Sequence, residues 1–99
     1  MRPYLLAFGG PPEWRQAILD FLDKQPDVLN WYAFFPAAIF FISRKGPQEL
    51  SQRLHSSFPN IWFVIAEVQA GRSDGWLPEA AWNFISNPQS SGRWPDKAR

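Results

Sequence analysis

Ninety-nine residues suffice for one domain and leave little room for a second. A hydrophobic fraction of 45% and a charged fraction of 19% exclude a disordered polymer, and the absence of cysteine with a single histidine excludes a disulfide scaffold, a thiol nucleophile and the usual histidine-rich metal centre. The net charge of +1 gives no electrostatic ground for nucleic-acid binding, since residues 1–89 sum to −1 and only residues 90–99, at +2, carry a positive excess.

The chain opens on an apolar run at residues 4–8, halted by Gly9-Gly10-Pro11-Pro12, which reads as a buried strand. The run is too short for the core of a signal peptide. A helix is expected next, with Gly10 as its cap, Pro11 in its first position and Glu13 where the helix dipole favours an acid. Trp14, Ala17, Ile18, Phe21 and Leu22 recur at helical spacing, and Pro26 closes the segment. Residues 29–43 are long enough for two strands, with Pro36 best placed in a turn at residues 35–38.

Gly46-Pro47-Gln48-Glu49 repeats the helix-start pattern thirty-six residues after Gly10, and Leu50, Leu54 and Phe58 follow at four-residue spacing. Residues 61–68 are rich in β-branched and aromatic side chains and predict a fourth strand. After a loop at residues 71–75, residues 78–85 predict a short third helix, and residues 90–99 have the composition of a disordered basic tail. No stretch approaches the roughly 20 apolar residues of a membrane span, so a cytoplasmic protein that does not enter membranes is expected.

The pattern predicts an α+β domain over residues 1–89: a ferredoxin-like βαββαβ arrangement with a four-stranded antiparallel sheet, two helices on one face, and a short C-terminal helix. In such a domain the second sheet face ought to be polar. It is not. Seventeen aromatic residues match seventeen Ile, Leu and Val, and large apolar side chains fall on both parities of every strand after the first. Three covers are open for the surplus: a second copy of the chain, the third helix and tail of the same chain, or a ligand in a groove. The residues expected to mediate contact are Trp31, Phe35, Trp62, Trp76 and Trp82.

No catalytic, cofactor-binding or metal-binding residue emerges. His55 reads as a helix-surface residue, and a haem or oxygenase role would rest on it alone. Glu67 and Asp74 read as a strand end and a turn aspartate. Gly9-Gly10 lacks the lysine of a phosphate loop, Arg44, Lys45 and Arg53 read as a solvated turn, and Trp94 lies in the tail.

The strand at residues 4–8, the segment Trp31 to Ser43 with its Ala38-Ile39-Phe40-Phe41-Ile42 core, Glu49-Leu50…Leu54, and Phe63-Val64-Ile65-Ala66-Glu67-Val68 leading to Gly75-Trp76-Leu77-Pro78…Trp82 resemble the SinR-like small ferredoxin-fold proteins. Those are distantly similar to CRISPR-associated ferredoxin-fold endoribonucleases. The resemblance implies a ferredoxin-like subunit that pairs into homodimers through its sheet. The nuclease relatives hold a divalent metal on an aspartate just after the first strand, where this chain reads Phe8-Gly9-Gly10-Pro11, so that activity does not transfer. The expectation is therefore a non-enzymatic, cofactor-free interaction domain whose partners are a second copy and one other protein. The alternative is a metal-dependent, nuclease-related or nucleic-acid-processing protein.

Overall fold

In the computed structural model, which describes residues 1–87, strand β1 (Arg2–Phe8) runs directly into the Gly9-Gly10 pair. The Gly9 N–H donates to the Trp62 carbonyl at 2.9 Å, and Gly10 takes a φ of +132°, where a residue with a Cβ would be strained. The first helix begins later than the expected start at Gly10 and Pro11. Helix α1 spans Trp14–Lys24, with Glu13 as its cap residue. Pro12 disfavours the helical region for Pro11, so the chain first makes a tight turn in which the Trp14 and Arg15 N–H groups donate to the Pro11 and Pro12 carbonyls at 3.0 and 3.2 Å. The helix ends where expected, because Gln25, preceding Pro26, is extended.

Strands β2 (Val28–Phe35) and β3 (Ala38–Ser43) form the expected hairpin, turning at Pro36 and Ala37. The pairing is interrupted between Val28 and Asn30 and again between Tyr32 and Phe35. Helix α2 (Pro47–Ser57) follows the sequence reading, with Gly46 as cap, proline at its start and Glu49 in its first turn. Strand β4 (Phe63–Glu67) is shorter than the predicted residues 61–68, since Ile61 turns into the core and its N–H donates to the Phe58 carbonyl at 3.2 Å. A single 3₁₀ turn at Ala70–Arg72 and helix α3 (Glu79–Ser86) complete the described chain. The basic tail and Trp94 lie outside the described residues. No helix among the described residues is long and apolar enough to cross a membrane.

The sheet is antiparallel throughout, in the order β2-β3-β1-β4. One face carries α1 and α2. There Tyr4, Leu6, Ile39 and Phe41 of the sheet meet Ile18, Leu22, Leu50 and Leu54 of the helices, with Tyr4 stacked on Phe41 at 5.4 Å between ring centroids. Phe58 closes one end, edge-on to both Trp14 and Phe21. Each fully buried side chain of this size contributes about 1.5–3 kcal/mol, so this layer dominates stability.

The opposite face is apolar as well, and α3 lies on it. Phe84 meets Tyr32 with ring centroids 5.9 Å apart, and Ala81 and Ile85 are the buried residues of the helix. Beneath this cover Phe40 and Ile42 are buried without belonging to the first core. The molecule is thus three layers: two helices, a sheet, and one short helix.

Candidate interaction surface

The strand registers arrange the second face into rows. Asn30, Ile42 and Pro3 form one row across β2, β3 and β1; Tyr32, Phe40, Leu5 and Ala66 form the next; Phe35, Ala38, Ala7 and Val64 form the third. Cover by α3 stops before the third row. Asn30, Ile42 and Pro3 are buried, whereas Phe35 is 37% and Val64 59% exposed. Ala38 and Ala7, at the centre of the uncovered row, are too small to fill the space above them.

The result is a shallow trough with an alanine floor. Phe34 and Phe35 wall it on the β2 side, with their rings edge-on at 5.2 Å. Trp62, 88% exposed, walls it on the β4 side and lines an open hollow of about 380 Å³ with Ala7, Phe8, Gly9, Phe63 and Val64. The second interruption in β2 makes the first wall. It inserts an extra residue between Tyr32 and Phe35, and the aromatic row runs on from Tyr32 through Phe34 and Phe35 to Phe40, with centroid spacings of 5.2–6.5 Å. Arg15 of α1 supports this irregular backbone by donating to the Ala33 and Phe35 carbonyls at 3.0 and 3.4 Å.

Of the five residues singled out from sequence, Phe35 and Trp62 fall on the same sheet face, at its two opposite edges. Trp31 stands apart, on the helix-bearing face, where its Nε1–H donates to Asp23 Oδ1 at 2.7 Å and its ring packs against the main core. Trp76, almost fully exposed, and the half-buried Trp82 line a separate hollow of about 230 Å³ with Gly75 and Leu77. No protein-family model, curated protein or solved structure matches this chain.

The residues weighed for chemistry lie scattered. Glu67 pairs with Arg2 at 3.4 Å, while Asp74 Oδ1 accepts the Gly75 N–H at 2.8 Å. Two members of the basic cluster are ion-paired: Arg53 with both Glu49 and Asp27, and Lys45 with Glu49 at 4.0 Å. His55 is exposed on α2 and lines, with Pro59, Asn60, Ile61, Trp62 and Phe63, a hollow of about 390 Å³. Among the described residues no group of three or more His, Asp or Glu is placed to hold a metal ion. Burial pushes the Tyr4 phenol above its ordinary pKa, the Glu67 carboxylate adds to the rise, and Arg2 opposes it. That phenol belongs to the core.

Sequence reasoning missed Val64, Ala7 and Ala38. Their only signal is small size at matched parity in neighbouring strands, and that is readable only once the register is known.

Proposed function

We propose that this chain is a ferredoxin-like interaction domain without a catalytic role, which forms a homodimer through the uncovered strip of its aromatic sheet face. The order β1-α1-β2-β3-α2-β4, with the sheet order β2-β3-β1-β4 and two helices on one face, supports the ferredoxin-like reading. The observation that carries the interaction is Trp62, 88% exposed beside an exposed Val64 and above an alanine floor. Held against a strand, an indole gives up little conformational freedom on docking, and a buried aromatic removes about 150–250 Å² from water.

Sedimentation velocity across a concentration series tests the proposal, with acrylamide quenching of tryptophan fluorescence in parallel. The expected result is a shift to twice the monomer mass with concentration, partial loss of quenching, and its reversal by Trp62→Ala. A monomer persisting to about 500 µM, a concentration at which even weak pairs assemble, would overturn it.

A further inference from the structure

Strand β4 is an edge strand, with β1 on one side and no strand on the other among the described residues. The β1 contacts fix which of its backbone groups face outward. The Trp62 carbonyl accepts from Gly9 and the Val68 N–H donates to Pro3, so the even-numbered residues of this strand bond to β1. By the alternation of an antiparallel ladder, the N–H and C=O groups of Phe63 and Ile65 point to the open edge. The β1–β4 register carries no bulge, and the strand contains no proline or lysine, so the only common edge-blocking devices it keeps are its five-residue length and Glu67 at its end.

We infer that this edge pairs with the same edge of a second copy, antiparallel and centred on Val64, joining two sheets into one. The inference rests on the homodimer reading above and names its geometry. In this register Phe63 and the partner's Ile65 exchange both backbone hydrogen bonds. On the trough side Val64 faces the partner's Val64, and Trp62 lies over the partner's Ala66. Large meets small at both ends of a self-complementary row, and every apolar side chain of the strand has an apolar neighbour. Centring the pair one residue later, on Ile65, would instead set Phe63 against the partner's Glu67.

Charge agrees. Glu67 is the only charged side chain of β4. The Val64-centred pair sends the two copies of Glu67 to opposite ends of the ladder, each one residue past the partner's Trp62 and still beside Arg2 of its own chain. There the hollow beside the partner's His55 and the partner's Asn60 offers polar groups to a carboxylate. The third row also continues across the new pair, so that two alanine-floored troughs join into one.

The area is small. Two Trp62 indoles bring roughly 300–500 Å², to which Val64, Ala66 and the edge backbone add, against about 1,200–2,000 Å² for a stable complex. The pair is therefore expected to assemble in a concentration-dependent way.

A charge swap at the two-fold axis tests it in the full chain. Val64 is exposed, so Val64→Asp and Val64→Lys are compatible with the fold. Each variant alone is expected to associate at least about tenfold more weakly than the parent, because like charges meet at the axis. An equimolar mixture of the two is expected to regain the dimer. Amide exchange at Phe63 and Ile65 should slow with concentration, while Val64 and Ala66, bonded to β1, stay protected throughout. A dimer that survives in both single variants would overturn the edge pairing and leave the homodimer reading standing. A parent chain that stays monomeric would overturn both. Protection at Phe63 and Ile65 that does not depend on concentration would mean that the edge is filled within one chain, and would overturn the pairing.

Discussion

Phe84 of α3 rests against Tyr32 of β2 with ring centroids 5.9 Å apart, and this contact seats the third helix on the sheet face opposite the other two. The helix has eight residues, too few to persist alone in water, so its stability comes from the face it covers. Ile85 is its largest buried side chain. Ile85→Ala is expected to cost about 2–4 kcal/mol in chemical denaturation, from lost burial and the cavity left behind. The same variant should bind an apolar dye where the parent does not.

Arg15 secures the aromatic wall from the other side of the sheet. Its guanidinium donates to two carbonyls of the bulged end of β2. Arg15→Ala is expected to destabilise the fold by about 1–2 kcal/mol, and Arg15→Lys to recover only part, since an ammonium cannot reproduce the fork. Ring-current shifts of Phe35 and Phe40, whose centroids are 6.4 Å apart, should report the loosening directly by NMR.

Tyr4 makes stability depend on alkaline pH. Burial, seconded by Glu67, raises its folded-state pKa above the ordinary value near 10. The unfolded chain then loses the phenolic proton first. The corresponding stability is present in full below about pH 10 and is lost as the pH rises through the folded value. Denaturation midpoints should fall above pH 10, and Tyr4→Phe should flatten that fall.

Trp62 and Trp14 separate docking from folding. Trp62→Ala is expected to change the unfolding free energy by no more than about 0.5 kcal/mol, as at an ordinary surface site. Trp14 packs against the main core, edge-on to Phe58 at 5.6 Å. Trp14→Ala should cost about 2–4 kcal/mol. Equal costs in the two variants would mean that Trp62 serves the fold.

The two helix starts show how far the sequence could be read. Gly46-Pro47-x-Glu49 behaves as its residue types demand, whereas Gly10-Pro11-Pro12-Glu13 does not, because a second proline forces the first out of the helix. The excess apolar face was legible from the strands, since no choice of parity could hide their aromatics on one side. Which aromatics lie there was not. Trp31 and Phe35 share a parity in the sequence yet stand on opposite faces, because the interruption between Tyr32 and Phe35 shifts the alternation. Bulges arise from pairing between strands, and nothing in the local residue types announces them. Trp62 was found because it directly precedes a strand whose parity runs unbroken, and the alanines beside it became meaningful only through their cross-strand partners.

The order of elements also governs how the chain comes into being. Arg2 and Glu67 share an ion pair across 65 residues of sequence, and the helix that buries Phe40 and Ile42 is made later still. At a synthesis rate of about 5–20 residues per second, the completed hairpin waits roughly 2–9 s for the residues that will cover it. Throughout that interval a nascent chain presents bare aromatic surface at the ribosome exit. The last helix therefore closes the aromatic face last, and its late arrival sets how long Phe40 and Ile42 stay uncovered.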